Sequence, residues 1–281
     1  MIELENVTKK YGSTIAIDHL SLSFPDSGIF CLLGRNGAGK TTLMKLIAGR
    51  TYTTDGRVVV NGKEISPSKM PDGVNYIDGS STQFNMKVSA LIEAAAMLQK
   101  NFDRVFAQEM TRRFDLSPNK KYKQLSFGMK TMLSTIISLA NNSKVVLLDE
   151  PTLGLDAIMR DQFNALLLES YNTNPRIIIV STHLIDEIAK VTERLIIIES
   201  GKLLIEASIN DIDERAYTLS GPTTAITPLL DRLNCIGKMA VGTVMAAHIY
   251  DNRIKPPAGV SISQLSLQDF FINIVGGKNH E

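Results

Sequence analysis

Gly34-Arg35-Asn36-Gly37-Ala38-Gly39-Lys40-Thr41-Thr42 decides how the rest of the chain is read. A glycine, four residues and then Gly-Lys-Thr is the pattern of a loop that cradles phosphates, provided a strand precedes it and a helix follows. Both neighbours are present in the letters. Gly28-Ile29-Phe30-Cys31-Leu32-Leu33 is a continuous apolar run of the kind buried on both faces of a sheet, and apolar spacing over 41–48 is helical. Glycines let backbone N–H groups wrap an anion, and the helix N-terminus adds the positive end of its dipole. Gly34, Asn36, Gly37, Ala38, Gly39 and Thr42 thus form the cradle, Lys40 neutralises the β and γ phosphates, and the Thr41 hydroxyl is offered to a bridging Mg²⁺. A glycine-rich turn can match these letters by accident, and kinases, GTPases and motors share the loop. On its own it implies a nucleoside triphosphate and no more.

Outward from the loop, apolar residues alternate over most of 2–65, as in Leu20, Leu22, Phe24 and Val58, Val60, with Asn61-Gly62 as a hairpin turn. This predicts an antiparallel strand layer. From about 86 to 140 strand signals vanish and helical spacing takes over, over 88–98 and 105–114, predicting a helical lobe. Two buried-strand patterns, Val145-Val146-Leu147-Leu148 and Ile177-Ile178-Ile179-Val180, flank a helix-like segment at 157–171, which reads as a βαβ unit of a parallel sheet. Leu195-Ile196-Ile197-Ile198 adds a strand, Ser200-Gly201 turns the chain, and the residues from about 208 to 281 read as a separate small α+β element.

Two acids follow the first of those buried strands, Asp149-Glu150-Pro151, at the carboxyl end where ligands of α/β sheets collect. Asp149 is placed to hold Mg²⁺ and Glu150 to polarise the water that attacks the γ-phosphate. Otherwise two adjacent acids merely begin a loop, but without a cation they repel. Pro151 is expected to end the strand. Leu125-Ser126-Phe127-Gly128-Met129 precedes an apolar stripe at Met129, Met132, Leu133, Ile136, Ile137 and Ala140, so Ser126 reads as the N-cap of an amphipathic helix. An ordinary capped helix would look the same in isolation.

In their order and spacing these segments resemble the ABC ATPase family: GRNGAGKTT, then LSFGM in place of that family's LSGGQ signature, then VVLLDEP. The resemblance covers about residues 1–205. It implies a P-loop, RecA-like α/β core with an antiparallel β layer, an inserted helical lobe and a small C-terminal α+β appendage, the cassette ending near 207. It also implies that Tyr11 stacks on adenine, that Leu155-Asp156 communicates between paired subunits with Asp156 near the nucleotide, and that His183 touches the γ-phosphate and orients the attacking water. A lone Tyr11 or His183 would otherwise read as a strand residue and a satisfied loop histidine. Ser126 and Gly128 are implied to complete the ATP site of a second subunit, alike or related. Two positions depart from the pattern. Phe127 and Met129 replace a glycine and a glutamine, and Tyr76-Ile77-Asp78-Gly79 lacks the glutamine expected there, leaving Gln83 as a substitute contact to the metal.

Composition narrows the use of such a cassette. Of 281 residues, 30 are Lys or Arg and 29 Asp or Glu, a net charge of +1 that argues against a nucleic-acid footprint. Cys31 and Cys235 lack metal-ligand spacing, which suits a reducing cytoplasm. No secretory signal opens the chain, and the longest weakly polar stretch, 239–247, falls short of the roughly 18–20 residues that cross a bilayer. The expectation is an ATP-hydrolysing subunit on the cytoplasmic face of a membrane, held by a separate transmembrane permease through the helical lobe and the loop at 78–85. LSFGM and the tail are similar to Gram-positive peptide exporter cassettes, including the phenol-soluble modulin exporters of staphylococci. The alternative is a non-transport ABC ATPase acting in translation or DNA maintenance. Against it stand one cassette only, no coiled-coil insertion and no basic arm.

Overall fold

The structure, a computed structural model, describes residues 1–78, 84–183 and 185–276. It divides into two compact units, residues 1–193 with 198–203 and residues 194–197 with 204–281.

The first unit opens with β1 (Ile2–Tyr11) and β2 (Thr14–Phe24), passes through β3 (Gly28–Leu33) and helix α1 (Lys40–Ile47), and returns with β4 (Asp55–Val60) and β5 (Lys63–Glu64). Strands β2-β1-β4-β5, in that order, form the antiparallel layer expected from the alternation. Ile2, Leu4, Leu20, Leu22, Val58 and Val60 face inward, while Glu5 and Arg57 face out and pair at 2.7 Å. Asn61 and Gly62 both have positive φ, 51° and 75°, which is what a two-residue turn matched to strand twist requires.

A second layer begins with β3, buried at all six residues. It continues with β6 (Val74–Ile77), then α2 (Val88–Leu98), α3 (Arg104–Arg113), α4 (Phe127–Ala140), β7 (Val145–Asp149), α5 (Ala157–Thr173) and β8 (Ile177–Thr182). Strands β3-β8-β7-β6 lie side by side in parallel, and β7-α5-β8 is the anticipated βαβ unit. Strand β6 was not anticipated: its four residues are all half-buried and Asn75 interrupts the apolar run, so no periodicity announces it. The other correction is at the end of β7. The strand stops at Asp149 because Glu150 turns to φ 50°, one residue before the proline expected to stop it. Helices α2 to α4 make the lobe, with Ile92, Ala107, Met110, Met132, Leu133 and Ile136 in its core. Asp103 and Ser126 cap α3 and α4 by accepting from Phe106 N–H and Met129 N–H.

A buried cation holds two of these helices. Arg176, only 3% exposed, donates to the Leu139 carbonyl at 3.2 Å, the Asn174 carbonyl at 3.1 Å and Ser170 Oγ at 2.7 Å. Leu139 lies in the last turn of α4 and Asn174 caps the end of α5, so the charge sits at two negative dipole ends rather than on a carboxylate. Arg176→Leu strands those acceptors, and we expect a loss of about 2–4 kcal/mol of stability, read as a lower urea midpoint at unchanged slope. A midpoint like that of the parent would show that the cation contributes nothing.

After α6 (Ile185–Ile188), strands β9 (Arg194–Glu199) and β10 (Lys202–Ser208) form a hairpin about Ser200-Gly201. The second unit, which takes in parts of β9 and β10, continues with α7 (Ile209–Arg215), β11 (Ala216–Pro222), α8 (Thr223–Leu230), β12 (Cys235–Val241), β13 (Val244–Tyr250), β14 (Ser261–Gln264) and α9 (Leu267–Gly276). Its antiparallel sheet, β12-β13-β11-β14, packs Tyr217, Leu219, Met245, Ala247 and Ile249 against Ile226 of α8, and Phe270 of α9 meets Tyr250 edge-on at 5.0 Å. It has a core of its own. Residues 239–247 belong to its β12–β13 hairpin, and among the described residues no helix is long and apolar enough to cross a membrane.

Candidate functional site

The loop after β3 is shaped by close backbone approach. A Cβ at Gly34 would lie 2.5 Å from the Ile198 carbonyl oxygen and 2.8 Å from Ala38 Cβ, and one at Gly39, where φ is 109°, would lie 2.6 Å from the Ala16 carbonyl oxygen. Only glycine fits either place. Gly39 is also the N-cap of α1 and offers no side chain, so the first N–H groups of that helix are left for an external acceptor. Ala38 is buried, whereas Asn36, Gly37 and Thr41 are exposed and Thr42 is half-buried. Lys40 curls back over the loop: its buried Nζ donates to the Gly34 carbonyl at 2.7 Å and the Arg35 carbonyl at 3.4 Å.

The carboxyl ends of β7 and β8 supply the acids and their holders. Asp149 Oδ1 accepts from Ser181 Oγ at 2.5 Å, and its Oδ2 accepts from the Tyr76 hydroxyl at 3.2 Å. The Glu150 N–H is shared between the Ser181 carbonyl at 3.1 Å and Ser181 Oγ at 3.0 Å. With the backbone turned to φ 50°, the Glu150 carboxylate lies between two groups, Lys40 Nζ at 3.7 Å and His183 Nδ1 at 2.9 Å. Lysine, glutamate and histidine from three separated segments therefore meet at the mouth of the loop. Beneath them Cys31 is wholly buried; burial first, and then the Glu150 charge, push its thiol up, so it is an inert core residue. Burial and the Asp149 charge likewise push the Tyr76 phenol up, keeping it a proton donor to that carboxylate.

Tyr11 ends β1 with its ring half exposed and the Lys9 ammonium 4.9 Å from the ring centre. Ser126 is exposed at the start of α4, and among the described residues no hydrogen bond or ion pair joins Ser126 or Gly128 to residues 34–42. A Cβ at Gly128 would lie 3.1 Å from Leu155 Cδ2 and 3.2 Å from the Gly154 carbonyl oxygen. Phe127 has a definite seat: its ring covers Gly154, where φ is 75° and a Cβ would come within 2.4 Å of the ring. Asp156 caps α5, accepting from the Met159 N–H at 2.9 Å. Gln83 and Gly79 lie outside the described residues, and Asp78 borders a groove of about 520 Å³ together with Tyr76, Phe84, Met86, Leu98 and Ile137.

Tyr76 and Ser181, the hydroxyls that hold Asp149, lie in segments read for a missing glutamine and for His183, and sequence assigns neither of them this role. Their roles depend on strand register, with Tyr76 beside Leu147 and Ser181 beside Asp149. As a metal site the set is sparse. Among the described residues no three His, Cys, Asp or Glu side chains gather, so the protein offers Asp149 and the exposed Thr41 hydroxyl rather than a cage. That suits Mg²⁺, which keeps several waters and takes ligands from phosphates.

A family model described as "ABC transporter" matches residues 17–153. The "ABC transporter ATP-binding protein YtrB" of Bacillus subtilis (strain 168) is 30% identical over 216 residues, which cover 76% of this chain and 73% of that protein. The "Lantibiotic transport ATP-binding protein SrtF" of Streptococcus pyogenes is 29% identical over 214 residues, covering 73% and 90% of the two chains. Among solved structures, a dimeric ATP-binding cassette in a post-hydrolysis state with ADP and Pi superposes with a TM-score of 0.64 at 22% identity, over 74% of this chain and 99% of that one. The last likeness establishes the fold.

Proposed function

The chain belongs to the ABC transporter family of ATP-binding proteins, and from this we infer that it binds and hydrolyses ATP to power export through a separate membrane subunit. The observation that carries the reading is Glu150 set between Lys40 and His183 at the mouth of a phosphate-shaped loop.

In this reading adenine stacks on Tyr11, and the phosphates lie in the backbone of residues 34–42, where Lys40 exchanges its carbonyl partners for phosphate oxygens. Thr41 and Asp149 hold Mg²⁺, which when bound draws charge from the β and γ phosphates. Glu150 accepts the proton of the attacking water, and His183 keeps its carboxylate aimed. Ser126, Gly128 and the N-terminus of α4 serve the nucleotide of a second subunit, with Asp156 close to the shared boundary, so one chain is half an enzyme. Closure of the pair on ATP and reopening after hydrolysis supply the coupling. Specific ATPase activity of the purified chain should therefore rise with protein concentration until pairing saturates. Activity per chain that stays constant on dilution would sink the two-subunit site.

Export is favoured by the relatives, whose names describe transport proteins, one of them for lantibiotics, over a role in translation or DNA maintenance. Peptides or other amphipathic compounds are the cargo class this suggests. The groove beside Tyr76, with Phe84, Met86 and Leu98 exposed along it, is the surface we assign to the membrane subunit, which would hold the chain at the cytoplasmic face.

A further inference from the structure

Asp149 is held by two hydroxyls that differ in how firmly they are themselves held. Ser181 is wholly buried on β8, between β3 and β7, and also receives the Glu150 N–H. Tyr76 stands on β6, at the edge of the parallel sheet, and is half-buried like every residue of that strand. One side of Tyr76 reaches Asp149, while the residue also forms part of the wall of the 520 Å³ groove with Asp78, Phe84 and Met86. Its hydrogen bond, at 3.2 Å, is longer than the usual O–H···O contact. A tyrosine has few torsions and a rigid ring, so a shift of the ring is also a shift of its oxygen.

We propose that Tyr76 is a positioning residue for Asp149 and transmits occupation of the groove to the metal-holding carboxylate. The proposal rests on the reading of Asp149 as the Mg²⁺ carboxylate and of the groove as the docking surface for the membrane subunit. Groups that orient a metal-ligating carboxylate commonly govern metal affinity about 10- to 100-fold. Tyr76 would exert that control from a strand on the lobe side of the site, where the expected glutamine is missing.

The test is equilibrium binding of a fluorescent ATP analogue to the whole chain as Mg²⁺ is titrated, with Mg²⁺-free binding as reference. Tyr76→Phe keeps the ring and removes the hydroxyl; half-saturating Mg²⁺ should rise about tenfold while Mg²⁺-free binding is unchanged. A merely structural role would move both or neither. Ala95→Trp, which puts bulk into the same groove, should shift half-saturation at least about threefold in the Tyr76 chain and not in the Tyr76→Phe chain. An equal shift in both chains, or none in either, overturns transmission through Tyr76. Asp149→Asn separates the premises: if it raises half-saturating Mg²⁺ and Tyr76→Phe does not, Tyr76 is wrong and Asp149 stands. If Asp149→Asn changes nothing, the Asp149 reading falls and takes the proposal with it.

Discussion

Replacing Glu150 with glutamine is expected to slow ATP turnover by about 10²–10⁴ while nucleotide binding persists, the usual worth of a positioned general base. The amide copies the shape of the carboxylate and can still meet His183, now 2.9 Å from Glu150 Oε2, so the turn at φ 50° has no reason to move. It cannot take a proton from water. Nor should ATP bind more weakly, because the lost carboxylate is one that lies 3.7 Å from Lys40 and competes with phosphate for that ammonium. Single-turnover hydrolysis and equilibrium binding, measured on one preparation, separate the two effects. Turnover within a few-fold of the parent would remove Glu150 from the role.

Lys40→Ala should fail in the opposite way, with ATP affinity falling about 10- to 100-fold, as expected when hydrogen bonds to a charged group worth about 1.5–3 kcal/mol are lost. Among the described residues, buried Lys40 has two carbonyl partners and a carboxylate at 3.7 Å, a set to which phosphate oxygens would add stronger, charged acceptors. The protein need not unfold: losing Lys40 removes its hydrogen bonds to the Gly34 and Arg35 carbonyls, but the close backbone approaches at Gly34 and Gly39 that shape the loop remain. A titration with fluorescent ATP checks this, and unchanged affinity would show that the phosphates lie elsewhere. The two variants thus divide binding from turnover, as transition-state bookkeeping requires.

Much of this arrangement could be read from the chain because it is written in local rules. A loop that admits only glycine at 34 and 39, a strand apolar at every position from 29 to 33 and Asn61-Gly62 at positive φ each state their conformation within a few residues. Asp149 and Glu150 were legible as chemistry because acids after a buried strand need a reason. What escaped is held by register between distant segments. Tyr76 reaches Asp149 only because β6 pairs with β7, and β6 is too short and too evenly half-buried to show a period. The end of β7 was misplaced by one residue, since proline is a visible stop and a non-glycine residue in the left-handed region is not. Phe127 read as a departure from a pattern, because its partner Gly154 lies 27 positions away and its role is to fill an absent Cβ.

That last contact also limits how the chain can change. With the ring of Phe127 in its present position a Cβ at 154 would sit 2.4 Å from it, so a side chain at 154, already disfavoured by φ 75°, requires that exposed ring to turn away. The two sites are therefore sterically coupled. A substitution at either position is felt at the other, and the pair is best varied together. Grafting this signature onto another cassette would need residues 153–155 to travel with it, and a segment swap that ignores the pairing would misjudge which half had failed.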